Sequence, residues 1–157
     1  MSNLEGKNAP PFSLEGSDGK THSLTDYKGK TVVMYFYPKD DTPGCTKEAC
    51  GFRDYFSKMA KLGAVVLGVS KDSSISHQTF IRKFKLPFVL LTDTEAKVSQ
   101  AYGAWGEKMM YGKPVTGTIR STVIIDGSGK VVKHWEKVSN AEEHPEDVFD
   151  YLTDNAK

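Results

Sequence analysis

The sequence predicts an α/β fold in which helices flank a central mixed β-sheet. Strand-like and helix-like segments alternate along the 157 residues, and this alternation is typical of α/β architectures. Two runs, Thr31–Tyr37 and Ala64–Val69, are apolar, β-branched or aromatic at nearly every position. Strands covered on both faces have this composition, so both runs belong at the centre of the sheet. Hairpin-like segments before and after them add antiparallel strands.

The first half of the chain contains an N-terminal hairpin and a long helix. The segment Pro10–Leu24 predicts a small β-hairpin with a polar, glycine-containing turn. After the first central strand, Thr42 is a good helix N-cap and Pro43 suits the first helical position. Gly63 is a typical C-terminal stop for this helix. Its apolar face carries Phe52, Phe56 and Met59.

The second half continues the alternation. The segment Ser74–Lys85 predicts an amphipathic helix, Phe88–Leu91 a third buried strand, and Lys97–Tyr102 a short helix. Residues Gly103–Gly117 predict a long irregular loop, and a loop of that length is often functional. The chain closes with a hairpin formed by Ser121–Ile125 and Lys130–Trp135, and a helix over Pro145–Leu152. This order is the pattern of a thioredoxin-like sandwich, and we expect residues 1–157 to form a single domain.

Composition and charge exclude several classes of protein. The 21 Lys and Arg residues balance 20 Asp and Glu, which leaves no broad basic field for nucleic acid. We find no apolar run of the roughly 18 residues that a membrane-spanning helix needs. Residues Met1–Lys7 lack the pattern of a secretory signal, so we expect a cytoplasmic protein, with a previously cleaved organelle leader as the alternative. Two cysteines are too few for a secreted disulfide scaffold.

The densest chemical signal is the segment Tyr37–Cys50, which follows the first central strand. An α/β sheet usually carries its functional site at this edge. With Thr42 as the N-cap, Cys45 is the third helical residue, beside unpaired backbone N–H groups at the positive end of the helix dipole. Such a setting favours a thiolate. Lone cysteines are commonly structural, but this setting favours a functional thiol.

The second cysteine, Cys50, follows Cys45 by five residues. That spacing is not the Cys-x-x-Cys of dithiol reductases, and it does not fit the usual zinc motifs. The four histidines are scattered outside the segment, at positions His22, His77, His134 and His144. We therefore expect no metal site, and we interpret His134 as a surface residue on a strand.

For other residues near this segment, a purely structural interpretation stands beside a functional one. Asp40 and Asp41 are expected to be solvated carboxylates of the loop. Trp105, Met109 and Met110 fall in the predicted long loop. They either wall the site or simply pack against the body of the protein.

Several segments in order resemble the peroxiredoxins. Pro-x-x-x-Thr-x-x-Cys is the signature of that superfamily, and Pro38, Thr42 and Cys45 match it. The continuation through Cys50 is similar to the Q-type subfamily, also called bacterioferritin-comigratory proteins. The resemblance covers nearly the whole chain and includes Tyr102–Lys108 and Thr118–Thr122.

The resemblance implies a thiol peroxidase that reduces hydrogen peroxide and organic hydroperoxides without a cofactor. Cys45 would be the peroxidatic cysteine, which becomes a sulfenic acid, and Cys50 would resolve it as an intramolecular disulfide. Thr42 and Arg120 would be polar partners that stabilise the charge of the leaving hydroxide. Pro38 would shield the thiolate from water and offers no competing N–H group.

The two charged residues implied in the site also have other interpretations. Arg120 by itself is commonly a solvated surface charge, although its place just before an apolar strand favours a role in the site. Glu48 either orients a site arginine or is an exposed carboxylate of the helix. The residues alone leave both choices open.

A dithiol protein such as thioredoxin would restore the two thiols by exchange, and the subfamily resemblance suggests a monomer. Two other functions stay open. One is a thioredoxin-fold protein-disulfide oxidoreductase that uses the same cysteines, and the other is a metal-binding or copper-delivery protein. Consumption of peroxide by the metal-free protein separates the peroxidase from both.

The spacing of the cysteines has a mechanical consequence. If Cys45 and Cys50 lie on one regular helix, their Cα atoms are about 8.6 Å apart. A disulfide needs backbone movement when this distance exceeds about 7 Å. The sequence therefore predicts that disulfide formation unwinds at least one turn of the helix.

Overall fold

The computed structural model describes residues 3–155, which fold around a seven-stranded β-sheet. Two further strands, β6 and β7, form a separate small sheet. In chain order the strands are β1 (Ser13–Gly16), β2 (Thr21–Ser23), β3 (Thr31–Phe36), β4 (Ala64–Ser70), β5 (Val89–Thr92), β6 (Trp105–Met110), β7 (Lys113–Thr118), β8 (Ser121–Ile125) and β9 (Val131–Trp135). The α-helices are α1 (Pro43–Lys61), α2 (Ser74–Phe84), α3 (Lys97–Ala101) and α4 (His144–Asp154). A short 3-10 helix spans Leu24–Tyr27.

The sheet is mixed, with the strand order β2-β1-β5-β4-β3-β8-β9. Strands β3, β4 and β5 are parallel at its centre, and antiparallel neighbours flank them on both sides. The β1–β2 hairpin forms one edge and the β8–β9 hairpin the other. The predicted mixed sheet, flanking helices and N-terminal hairpin are confirmed.

The core consists of two apolar clusters, one on each face of the sheet. Successive side chains of a strand point to opposite faces, so Tyr35 packs on one side and Met34 on the other. Residues of α1, α2 and α4 cover the Tyr35 face, where Phe52 is fully buried. Full burial of such a side chain contributes about 1.5–3 kcal/mol. The 3-10 helix, α3 and the N-terminal segment cover the opposite face.

The expected irregular loop over Gly103–Gly117 is wrong. This segment is a second small sheet, in which β6 and β7 pair antiparallel from Trp105–Thr118 to Met110–Lys113. Tyr111 and Gly112 make the turn with positive φ angles of 54° and 79°, as two-residue hairpin turns require. Most of its side chains are at least partly exposed on both faces, so the sequence lacks the apolar alternation that predicts strands.

The long helix α1 has the predicted ends. Thr42 is its N-cap with an extended backbone, Pro43 is its first residue, and the helix ends at Lys61. Gly63 follows with a φ of +80°, a conformation that glycine adopts at little cost. Helix α1 begins at the carboxyl edge of the sheet after β3, and it carries both cysteines on one continuous helix.

The expected surface position of His134 is wrong. Only 5% of the residue is exposed, and its Nδ1 accepts a hydrogen bond of 3.1 Å from the backbone N–H of Leu4. The N-terminal segment runs alongside β9, where Gly6 and Lys7 exchange backbone hydrogen bonds with Val131, and it packs against the side chain of His134. An isolated strand pattern could not reveal this, because the covering residues are about 130 positions away in the chain.

Candidate active site

Cys45 lies at the carboxyl edge of the central strands and is 1% exposed. It is the third residue of α1, so its sulfur is close to the first backbone N–H groups of the helix, which have no intrahelical partner. Cys50 lies on the same helix and is half-buried. Both thiols are free, so the structure shows the reduced state.

Arg120 connects the cysteine to a buried carboxylate. Its Nη2 donates to Cys45 Sγ at 3.5 Å, and its Nη1 donates to Glu48 Oε1 at 2.7 Å. A Cβ atom added at Gly44 would lie 3.2 Å from Nη2, so a larger residue would crowd the guanidinium. The backbone of Arg120 is held as well, because Val138 donates its N–H to the Arg120 carbonyl oxygen at 2.7 Å.

Glu48 is completely buried and orients this arginine. Its second carboxylate oxygen, Oε2, has no hydrogen-bond partner among the described residues. Burial raises the pKa of Glu48 to about 7, although the nearby Arg120 charge opposes this shift. Burial also lowers the pKa of Arg120, but Glu48 and Cys45 outweigh it and the net shift is upward. The guanidinium therefore stays charged beside the thiol.

The side chain of Thr42 is hydrogen-bonded within the loop and not to Cys45. Its hydroxyl donates to the carbonyl oxygen of Lys39 at 2.9 Å, and it makes no side-chain capping bond to α1. The hydroxyl oxygen keeps lone pairs that can accept a proton donor. The oxygen of the Thr42 hydroxyl is therefore the part of this side chain that is left to accept a hydrogen bond.

A pocket of about 460 Å³ opens beside the arginine. Pro38 and Arg120 line it, and Met109 and Met110 from the β6–β7 hairpin form part of its wall. Of the two interpretations of these methionines, the structure supports the wall. Trp105 is partly buried and stacks under the ammonium group of Lys71, 5.0 Å from the ring centre.

Residues 6–134 match the AhpC/TSA family. The chain belongs to this family of peroxiredoxins. It is similar to the putative peroxiredoxin bcp of Coxiella burnetii, with 51% identity over 138 residues, 88% of this chain and 91% of that protein. It is 47% identical to the peroxiredoxin Bcp of Bacillus subtilis over 149 residues, 95% of this chain and 94% of that one.

Solved structures of Q-type peroxiredoxins have the same fold. Xanthomonas campestris peroxiredoxin Q superposes with a TM-score of 0.86 at 40% identity, covering 93% of this chain and 92% of that chain. A cysteine-to-serine mutant of Xylella fastidiosa PrxQ gives a TM-score of 0.88 at 34% identity, covering 99% and 96%. The chain is thus a thiol-dependent peroxidase of the Bcp/PrxQ type with a thioredoxin-like fold, which decides between the three functions that the residues left open.

Two further findings on this peroxiredoxin concern metal ligands and membrane-spanning helices. Within residues 3–155, no group of three or more His, Cys, Asp and Glu side chains is arranged to hold a metal ion. Among the helices in that part of the chain, none combines the length and the apolar character needed to cross a membrane.

The peroxiredoxin site includes a lysine that the residue patterns did not single out. Lys108 lines the pocket, and its Nζ donates to the carbonyl oxygen of Thr118 at 2.6 Å. Burial and the nearby Arg120 charge lower the pKa of Lys108. The resemblance segment Tyr102–Lys108 contained this residue, but only the pairing of β6 with β7 brings it beside the arginine.

The expectation of a solvated Asp40 is wrong. Asp40 is 7% exposed and accepts hydrogen bonds from Tyr37, Ser76 and His77. Its neighbour Asp41 is exposed, as expected, and pairs with Lys83 at the surface. Sequence reasoning missed the first carboxylate because its partners on α2 are more than 35 residues away.

Proposed function

We propose that Cys45 is the peroxidatic cysteine and that it reduces hydrogen peroxide and organic hydroperoxides. The thiolate sulfur attacks one oxygen of the O–O bond. An S–O bond forms, the O–O bond breaks, and the leaving hydroxide or alkoxide takes up a proton to depart as water or an alcohol. Cys45 is left as a sulfenic acid, oxidised by two electrons. The observation that carries this assignment is the 3.5 Å contact from Arg120 to the sulfur.

The surroundings of Cys45 suit this attack. The guanidinium of Arg120 favours the thiolate over the thiol, and it can also donate to the oxygen on which charge develops. Thr42 has its hydroxyl hydrogen engaged with Lys39, so its oxygen is free to accept a hydrogen bond from the peroxide. Pro38 lines the pocket beside Arg120, where its ring limits the access of water to the sulfur.

The pocket supports organic hydroperoxides as substrates beside hydrogen peroxide. Met109, Met110, Ile119 and Val138 give it apolar walls, and Arg120 lies at one end. Its volume of about 460 Å³ is far larger than hydrogen peroxide requires. For the similar Xanthomonas campestris bacterioferritin comigratory protein, an alkyl peroxide reduction activity is described.

We assign the resolving step to Cys50. Its thiol attacks the sulfur of the Cys45 sulfenic acid, a disulfide forms and water leaves. Cys50 is half-buried beside a surface groove lined by Lys47, Asp54 and Pro145, so its sulfur is more accessible than that of Cys45. The two cysteines are five residues apart on one helix, so the intramolecular disulfide forms once the turn between them unwinds.

A dithiol protein of the thioredoxin type would then reduce the disulfide by exchange. Such a partner is kept reduced in the cytoplasm, and we propose that the peroxiredoxin acts there. We also propose that it acts as a monomer. The reason is that one chain supplies both cysteines, Arg120, Glu48 and the pocket walls.

The first test replaces the proposed nucleophile. We expect Cys45→Ser to abolish peroxide reduction while its far-ultraviolet circular dichroism matches that of the wild type, because only the sulfur is lost. Peroxide consumption is measured with a thioredoxin system as the electron donor. Steady turnover by Cys45→Ser would overturn the assignment.

The matched variant is Cys50→Ser. We expect it to react once with peroxide and then recycle poorly, and a sulfenic-acid reagent should label Cys45. Mass spectrometry of the oxidised wild type should show an intramolecular disulfide. If oxidation yields only disulfide-linked dimers, both the resolving role of Cys50 and the monomeric cycle are wrong.

A further inference from the structure

A buried acid–histidine pair lies beneath the active-site loop, which connects β3 to α1. Asp40 belongs to this loop, whereas His77 lies on α2. Asp40 Oδ2 and His77 Nδ1 are 2.8 Å apart, and the side chains are 3% and 0% exposed. The pair joins two elements that are separated by 37 positions in the chain, and the proposed chemistry at Cys45 does not use it.

Each polar side-chain atom of the pair has a hydrogen-bond partner. Tyr37 donates its hydroxyl to Asp40 Oδ1 at 2.6 Å, and Ser76 donates its own to Oδ2 at 2.8 Å. His77 Nε2 lies 3.1 Å from the carbonyl oxygen of Leu91. A carbonyl oxygen only accepts, so Nε2 carries a proton, and Nδ1 faces a carboxylate that already receives two hydroxyl donors. These hydrogen bonds fix the orientation of both side chains.

The backbone around the pair is held as well. The N–H of Asp40 donates to Asp72 Oδ2 at 2.8 Å, and Asp72 is bound in turn by the hydroxyl of Ser70 at 2.7 Å. The next residue, Asp41, has a φ of +60°, a conformation that is costly for residues other than glycine. The hydrogen bonds of Asp40 to Asp72 and His77 therefore hold the loop in one conformation.

Burying an acid–histidine pair is costly, and apolar residues of similar volume are often as stable. What the pair does provide is a single geometry, because each hydrogen bond fixes a direction as well as a distance. The loop residues that depend on this geometry are Pro38, which lines the pocket, and Thr42, which caps α1. They lie two residues before and two residues after Asp40.

We propose that Asp40 and His77 are positioning residues for peroxide reduction. Through the loop they hold Pro38 and Thr42 in the arrangement that directs the peroxide to the sulfur, and they keep this loop in place while the first turns of α1 unwind. Neither side chain touches the substrate. The inference rests on the proposed role of Cys45 as the peroxidatic cysteine.

The test compares two reactions of one thiol. In a Cys50→Ser background, where Cys45 is the single cysteine, the rate constants for hydrogen peroxide and for iodoacetamide are measured at one pH. Both reagents need the thiolate and access to it, but only the peroxide needs the geometry of the loop. The variants are Asp40→Asn, His77→Gln and the milder Ser76→Ala, with Asp41→Asn as the exposed neighbouring control.

We expect Asp40→Asn and His77→Gln to lower the peroxide rate constant by roughly ten- to a hundredfold, since displacements of about 1 Å cost this much. The iodoacetamide rate constant should change little, so the ratio of the two falls. Ser76→Ala should lower the ratio by a smaller factor, and Asp41→Asn should not change it. Ser76→Ala removes a single hydroxyl, so it serves if the buried substitutions prevent folding.

Two outcomes would count against the inference, and they are distinguishable from failure of the proposed function. If the folded variants keep the ratio of the Asp41→Asn control, the pair is structural only. If both rate constants fall together, the pair acts on access or on the thiolate and not on peroxide geometry. Failure of the proposed function would instead show in the background protein itself, as an absent reaction of Cys45 with peroxide.

Discussion

Arg120 places a positive charge beside the sulfur of Cys45, the proposed peroxidatic residue. It donates to Cys45 Sγ and to Glu48 Oε1 at the same time, so the carboxylate directs the guanidinium rather than competing with the thiol. Arginine suits this position because its planar group donates in two fixed directions and does not lose its proton. Because the guanidinium keeps its proton, the positive charge beside Cys45 persists over a wide range of pH.

Replacement of this arginine should slow the peroxidase. We expect Arg120→Ala to reduce the fraction of Cys45 present as thiolate at a given pH and to lower the rate constant with peroxide by about a hundredfold, the cost of losing one donor to developing charge. Ultraviolet absorbance of the thiolate and stopped-flow kinetics measure the two effects. Arg120→Lys keeps the positive charge but loses the two fixed N–H donors of the guanidinium. Its thiolate fraction and its rate constant should therefore lie between those of the wild type and Arg120→Ala. An unchanged thiolate fraction together with an unchanged rate would show that Arg120 has no role in the reaction.

Glu48 should make the stability of the fold depend on pH. Burial raises its pKa from 4.5 to about 7, so between these values the folded chain holds a proton that the unfolded chain has released. The free energy of unfolding therefore falls as the pH rises through this window, by about 3 kcal/mol if the whole shift is expressed. Glu48→Gln should remove this part of the pH dependence, which urea denaturation at a series of pH values measures.

The control for this prediction is Glu95→Gln, which removes an exposed carboxylate that pairs with Lys97 at the surface. It should leave the wild-type pH profile unchanged. If the stability of Glu48→Gln falls with pH as steeply as that of the wild type, another group is responsible for the dependence.

At the scale of elements, the proposed cycle requires α1 to accommodate both the free thiols and the disulfide. Both cysteines lie on its regular part, where five residues rise about 7.5 Å along the axis. Its contact with α4 begins just after Cys50, since a Cβ atom added at Gly51 would lie 2.6 Å from Pro145 Cγ. The following residue, Phe52, packs edge-on against His144 at the start of α4. Helix α4 thus holds α1 from Gly51 onward, whereas the turns before Gly51 are held by the hydrogen bonds of Arg120 to Cys45 and Glu48.

Disulfide formation should therefore unwind a defined part of α1. We expect amide hydrogen exchange in residues 44–50 to become faster in the oxidised protein, while protection from Phe52 onward is kept by the contact with α4. The measurement compares reduced and oxidised protein peptide by peptide, with the α2 segment as an internal control. Equal protection of residues 44–50 in the two states would show that the disulfide forms without unwinding.

At the scale of the whole molecule, the small β6–β7 sheet is the part least integrated into the core. We nevertheless expect the chain to unfold as a single domain, because Ala104 at the base of the hairpin is fully buried in the core and donates its N–H to the carbonyl oxygen of Ser99 on α3 at 2.7 Å. The two tryptophans allow a direct test, since Trp105 lies on β6 and Trp135 on β9. The variants Trp135→Phe and Trp105→Phe each leave one reporter.

Fluorescence of the two variants and far-ultraviolet circular dichroism should give coincident urea transitions once each variant's own stability is taken into account. The comparison is made within each variant, between its fluorescence and its circular dichroism. An earlier fluorescence transition confined to the protein that keeps Trp105 would show that the hairpin unfolds as a separate unit.

The sequence alone determined those features that depend on local chemistry. The ends of α1 followed from Thr42, Pro43 and Gly63, because caps, fixed φ angles and positive φ angles are properties of single residues. The central strands followed from unbroken apolar runs, and the mixed sheet followed from the order of the segments. The position of Cys45 at the start of α1 was predictable for the same reason.

The tertiary structure decided everything that depends on partners distant in the chain. Glu48 was ambiguous until Arg120, 72 positions away, was placed beside it. Asp40 looked like a solvated loop residue because its partner His77 lies on another helix. The β6–β7 hairpin lacked apolar alternation because it lies at the surface, yet it supplies the wall of the pocket. Periodicity records which side chains are buried, whereas the burial and pairing of polar groups arise only when distant segments pack together.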